Sequence, residues 1–178
     1  MAVDMKYVAL LRGINVGGIR PVKMKSLRSL LESMEYTHVS TYLNSGNVIF
    51  ESNKNQETVQ EEINIRLKNE LGFDIPTLVI THRALRNIEE AIPDEWAIDP
   101  HQRTDVAFLF PAIDSEKTID DMPINREYID IRYVKGALFW NIIRSDYNKS
   151  RLNNITGHPL YQQMTIRNVN TVRALAEK

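Results

Sequence analysis

Apolar and polar positions along the chain alternate in ways that predict strands and helices in turn. Lys6 to Leu11 is an almost continuous apolar run suited to a central strand, and a glycine-rich loop from Arg12 to Arg20 closes it. Met24, Leu27, Leu30, Leu31 and Met34 then recur at three and four residues, the spacing of one helical face. Val39, Thr41 and Leu43 alternate with Ser40 and Tyr42, and the run resumes over Asn47 to Phe50 after Asn44-Ser45-Gly46, which predicts a hairpin. Val59, Ile63, Leu67 and Leu71 step by four along a second helix, with Gly72 placed for a left-handed C-cap, and Ile75 to Ile80 reads as a fourth strand.

The order β-α-β-β-α-β is that of the ferredoxin-like split βαβ motif. A second series follows a short helix near Arg83 to Ala91 and a loop holding Pro93 and Pro100. It comprises a strand at Val106 to Phe110, a short helix at Glu116 to Met122, and a hairpin of Tyr128 to Val134 with Ala137 to Ile143 about Lys135-Gly136. The polar stretch Asp146 to Gly157 has room for a helical turn, and a terminal helix is expected after Thr165, its N-cap. The fold class expected is therefore α+β, with two ferredoxin-like halves packed together and largely antiparallel sheets. The expected boundaries are 1–82 for the first lobe, 83–104 for the connection and 105–178 for the second lobe. The repeat is one of element order, without residue-level identity.

Composition narrows the class. The 178 residues are 43% hydrophobic and 25% charged, ordinary globular usage, and the absence of Cys removes disulfides, thiolate metal sites and a cysteine nucleophile. Met1 to Lys6 runs into an apolar stretch of only five residues, Tyr7 to Leu11, before Arg12 and Gly13, far short of a signal sequence or membrane span, so a cytoplasmic location and no membrane partner are expected. The net charge of −1 conceals a division: residues 1–50 carry +3, 51–150 carry −7 and 151–178 carry +3. If the ends meet, they form one basic site.

Three segments offer chemistry. Arg12-Gly13-Ile14-Asn15-Val16-Gly17-Gly18-Ile19-Arg20, with Lys23 and Lys25 beyond, resembles a phosphate cradle, because glycines bring N–H groups near an anion and cations supply full charge. Its spacing matches neither the Walker A nor the dinucleotide fingerprint, and a sharp strand-to-helix connection explains it equally. Around Ser45, hairpin chemistry accounts for the sequence better than a nucleophile elbow. Thr165 to Arg173 places Arg167, Asn170 and Thr171 on one face of the expected helix, next to Asn168, a donor set suited to an oxyanion or simply a solvated face. His38, His82, His101 and His158 are scattered without ligand spacing, so no metal site is assigned, and no carboxylate stands out as a general base.

Leu10 to Gly18, Thr41 to Phe50 and Thr165 to Thr171 together resemble, over nearly the whole length, the bacterial family called domain of unknown function 1697. The resemblance implies a cytoplasmic α+β protein with two ferredoxin-like halves, and brings no activity, cofactor or catalytic residue. The expectation is a protein binding a small anionic, phosphorylated or nucleotide-like ligand through Arg12, Gly13, Asn15, Gly17, Gly18, Lys23, Arg167, Asn168, Asn170 and Thr171. The alternatives are a transferase- or hydrolase-type enzyme using Ser45 or Ser150 on such a ligand, and a protein-interaction or dimerisation module. Nucleic acid is disfavoured, since phosphate-driven affinity needs a broad basic surface.

Overall fold

The structure, a computed structural model, describes residues 3–178. It is α+β and divides into two compact units, one running through Leu85 and including Lys178, the other Arg86–Glu177.

The first unit contains β1 (Met5–Leu11), α1 (Met24–Ser33), β2 (Thr37–Tyr42), β3 (Asn47–Ser52), α2 (Gln56–Leu71) and β4 (Thr77–Thr81), and α3 (His82–Ala91) begins in it. Its four strands are antiparallel in the order β2-β3-β1-β4. β1 is central, which is why its apolar run is nearly continuous: Tyr7 to Leu11 are all buried. Tyr7, Ala9, Val48, Phe50 and Val79 form one face, covered by Leu27 and Leu31 of α1 and by Val59, Ile63 and Leu67 of α2. Phe50 is held between two rings, with centroids 5.8 Å from Tyr7 and 4.9 Å from Tyr36. α2 has both expected ends: the Asn55 side chain accepts from the Thr58 N–H, and Gly72, at φ +75°, donates to the Lys68 carbonyl.

β4 is an edge strand, and α2 covers its outward backbone groups. Gln60 donates to the Thr77 carbonyl (2.6 Å) and accepts from the Val79 N–H (2.8 Å), while Gln56 donates to the Val79 carbonyl (2.8 Å).

The second unit repeats the topology with β5 (Gln102–Leu109), α4 (Thr118–Asp121), β6 (Asp130–Val134), β7 (Ala137–Ile143), α5 (Tyr147–Ser150), β8 (Met164–Asn168) and α6 (Val169–Glu177), in sheet order β6-β7-β5-β8. The correspondence extends to the register. Leu11 donates its N–H to Gly46 as Leu109 does to Gly136, and Tyr7 faces Phe50 across β1 and β3 as Asp105 faces Trp140 across β5 and β7.

The helices differ. α1 and α2 have 10 and 16 residues, whereas α4 and α5 have 4 each, continued by 3-10 turns at Leu152–Gly157 and Pro159–Gln163. The expected helix after Thr165 is corrected here. Residues 164–168 are a strand with Met164 and Ile166 packed with the apolar cluster on one face, and α6 starts only at Val169, where the Asn168 side chain accepts from the Thr171 N–H at 2.9 Å. Leu43, expected to continue the alternation of β2, is an exposed turn residue at φ +57°.

Candidate functional site

The loop between β1 and α1 carries six of the sequence-derived site residues. Gly17 and Gly18, at φ +57° and +75°, are the centre of a two-residue turn closed by the Ile19 N–H on the Val16 carbonyl at 3.0 Å. Both central residues need positive φ, so glycine is the economical choice there whatever else the loop does. Space is open around Gly13, Gly17 and Gly18, and their backbone is exposed.

Asn15 turns inward in its role. Its amide donates to the carbonyls of Val22 (2.9 Å) and Asn44 (2.8 Å), and its oxygen accepts from the Val22 N–H (2.7 Å). Asn15 thus ties the loop to the start of α1 and to the β2–β3 turn, and these bonds occupy the side chain that sequence reasoning offered to a ligand.

The sequence of this loop holds no carboxylate, although Arg28 of α1 pairs with Glu32 at 2.9 Å. Between Asp4 and Glu32 the chain has Lys6, Arg12, Arg20, Lys23, Lys25 and Arg28 and no Asp or Glu. Lys23 and Lys25 are exposed, and among the described residues neither has an ion-pair partner. Arg12 is half-buried, and Arg20 lies over the Phe73 ring at 5.5 Å. Val16 and Ile19, 65% and 68% exposed, present apolar side chains at the loop tip.

The other four candidates belong to the second unit. Arg167 is on β8, 7% exposed, and donates to the Thr165 hydroxyl (2.8 Å) and the Ile166 carbonyl (3.0 Å); burial pushes its guanidinium down to about 10, which leaves it charged at neutral pH. Asn168 is the cap of α6, Thr171 is buried and Asn170 is exposed. The expected single helical face of Arg167, Asn170 and Thr171 does not form, because Arg167 is in extended chain. Ser45 is exposed and accepts from Asn47 at 2.9 Å; Ser150 is buried, donating to Tyr147 (2.6 Å) and accepting from the Leu152 N–H (3.2 Å). Among the described residues, no three His, Asp or Glu side chains gather to hold a metal ion, and no helix is long and apolar enough to cross a membrane.

Sequence reasoning missed a second constellation in the Arg86–Glu177 unit. A hollow of about 410 Å³ is lined by Arg103, Asp105, Trp140, Tyr147, Leu152 and Ile155, among others. Asp105 is 3% exposed; Arg103 donates from Nε to Oδ2 at 2.8 Å, and among the described residues Oδ1 accepts no hydrogen bond. Burial raises the Asp105 carboxyl above the ordinary aspartate range, outweighing the pull of Arg103. The Trp140 indole N–H, also buried, has no acceptor among the described residues. The available signal was an Asp bordering the apolar run of β5; the strand was expected to begin at Val106, one residue too late to include it.

Comparison with known proteins places the fold. The structure is similar to that of a conserved bacterial protein, SP0830, from Streptococcus pneumoniae, with a TM-score of 0.87 and 25% identity over 98% of each chain. No curated protein matches. A family profile described as a protein of unknown function, DUF1697, matches residues 5–140.

Proposed function

Because the chain belongs to the DUF1697 family, whose description carries no chemistry, we propose from its own residues that it binds a small anionic ligand at the β1–α1 loop. One observation carries the reading: Arg12, Arg20, Lys23 and Lys25 lie on or beside a loop whose sequence holds no carboxylate and which Asn15 fastens in place. An anion there meets the exposed charges of Lys23 and Lys25, which have no ion-pair partner among the described residues, and the cost of ordering the loop is already met by Asn15. Arg12 and Lys23 supply charge, and the exposed backbone of Gly13, Gly17 and Gly18 supplies donors to a phosphorylated or nucleotide-like group.

Calorimetric titration with inorganic phosphate, nucleotides and sugar phosphates tests this. Saturable binding that Lys23→Ala or Arg12→Ala weakens about tenfold, and that weakens with salt, is the expected result. No saturable binding, or binding indifferent to both variants, overturns it. A metabolite-turnover screen separates binding from catalysis; the hydrogen bonds of Ser150 to backbone groups on both sides favour binding alone. The exposed Val16 and Ile19 favour a second reading in which the loop tip docks on a protein. Light scattering of the purified protein and of a Val16→Ser, Ile19→Ser variant separates the two, since a strict monomer in both counts against docking on a second copy.

A further inference from the structure

The two units solve the same packing problem differently, and the difference leaves a site. At one register position the first unit places Tyr7 opposite Phe50, with Val59, Ile63 and Leu67 of the long α2 against the same apolar cluster. At the corresponding position the second unit places Asp105 opposite Trp140, and the segment following β7 is broken into α5 and two 3-10 stretches. A small carboxylate stands where a phenol stood, and short turns replace a continuous helix. The volume left is the hollow of about 410 Å³, within the usual range of small-molecule pockets.

Its polar groups are incompletely satisfied, as groups awaiting a ligand are. Among the described residues, the buried Trp140 N–H has no acceptor and Asp105 Oδ1, which is not itself sealed from solvent, has no donor. A buried unmade hydrogen bond is costly enough that folded proteins seldom leave one without reason, and here it lines a cavity beside a carboxylate oxygen still free to accept. Beside the hollow lies another of about 290 Å³, lined by Arg103, Ile142, Arg144 and Tyr147, so Arg103 and Tyr147 wall both. Arg144 donates from Nε to the Asp99 carbonyl at 2.7 Å, and among the described residues it makes no close ion pair, its charge acting on Asp105 only from a distance. Arg103 and Arg144 therefore outnumber the one carboxylate, Asp105, that lines these walls.

We propose that the paired hollows bind a small organic anion with a ring-sized, mainly apolar body. The anionic head sits on Arg103 and Arg144, and the body lies against Tyr147, Leu152 and Ile155. A hydroxyl or N–H on the body donates to Asp105, and an acceptor takes the Trp140 N–H. This site rests on the second unit alone and is independent of the β1–α1 loop.

8-Anilinonaphthalene-1-sulfonate, which combines an anionic head, a ring body and an N–H, is the probe. Its fluorescence titration is expected to saturate at one equivalent, to weaken about tenfold or more in Arg144→Ala, and to be lost in Thr156→Trp, which places a ring at the exposed rim of the hollow. Circular dichroism and melting temperature unchanged in both variants show that the loss is of the site and not of the fold. 1-Naphthoate or 1-naphthyl phosphate should displace the probe at least tenfold better than 1-naphthol, which lacks the charge, and the better of the two identifies the head. Arg12→Ala and Lys23→Ala should leave the titration unchanged, so failure here and failure of the loop reading are distinguishable. Absence of saturation, equal binding by wild type, Arg144→Ala and Thr156→Trp, or equal competition by 1-naphthol overturns the proposal.

Discussion

Replacing Asn15 by Ala removes a fastening whose worth follows from its contacts. Three hydrogen bonds are lost, two donated by the amide and one accepted by its oxygen, at about 1 kcal/mol net each for neutral pairs. Asn15 sits at φ +55°, where Ala costs roughly 1 kcal/mol more than Asn, whose polar side chain tolerates the left-handed region. Half-exposure of the site lets water replace part of the loss, so about 3 kcal/mol is the expected destabilisation, equivalent to roughly 6–12 °C in melting temperature for a chain of this size. Asn15→Gly loses the same bonds without the backbone penalty and should cost less than Ala. Both tryptophans, Trp96 and Trp140, lie in the second unit, so indole fluorescence reports the wrong half. Urea unfolding followed by far-ultraviolet circular dichroism is the appropriate assay, with hydrogen exchange at the Val22 amide as the local readout. A loss below about 1 kcal/mol, or Gly proving worse than Ala, would refute the claim that Asn15 holds the loop.

The two equivalent turns form an internal control. A Cβ on Gly46 would lie 2.7 Å from Leu11 Cβ and 2.9 Å from Ile14 Cδ1 at φ +88°, so Gly46→Ala should cost about 3 kcal/mol or more, whereas at Gly136 the nearest atom is Ile88 Cδ1 at 3.5 Å and Gly136→Ala should cost about 1–2 kcal/mol in the same denaturation assay. Glu62 accepts from Tyr36 (2.7 Å) and Lys54 (2.8 Å); burial opposes its ionisation, but these bonds hold its carboxyl below the usual range. Its stabilisation is therefore present above the unfolded value of 4.5 and is lost as pH falls through the folded value, so Glu62→Gln should cost about 1 kcal/mol at pH 7, after allowance for solvent screening, and nothing in strong acid. Asp105 has the opposite sign: its raised carboxyl makes the wild type lose stability as pH rises from 3.8 through the folded value. Asp105→Asn should thus gain on the wild type with rising pH across that window, as thermal melts at successive pH values would show.

The strands and helices of the first unit were legible because each carries a clean burial signature, a one-sided period or, for the central strand, burial on both faces. β1 reads as a continuous apolar run, and α2 repeats every four residues up to Gly72. β8 was not legible. Ile166, Val169 and Val172 keep helical spacing, and only the sheet reveals that Ile166 belongs to a strand pairing with Ala107. The same slip hid the role of Asn168, whose capping bond depends on where the strand ends. The basic loop was visible as composition, but that Asn15 points into its own loop depends on the Val22 and Asn44 backbone being nearby, which no local pattern encodes. The cavity was invisible for a related reason: it arises from a comparison between two halves that share register and not sequence.

The glutamines of α2 bear on how the first unit opens. Because Gln60 and Gln56 hold the outer rim of β4, the helix cannot lift away without also stripping that strand of bonds to its Thr77 and Val79 backbone groups. Helix and edge strand are thereby joined into one cooperative unit, so amides along α2 and the Val79 amide should exchange with deuterium by the same subglobal opening, at similar protection. An edge that would elsewhere be the first to fray is instead as long-lived as the helix laid across it.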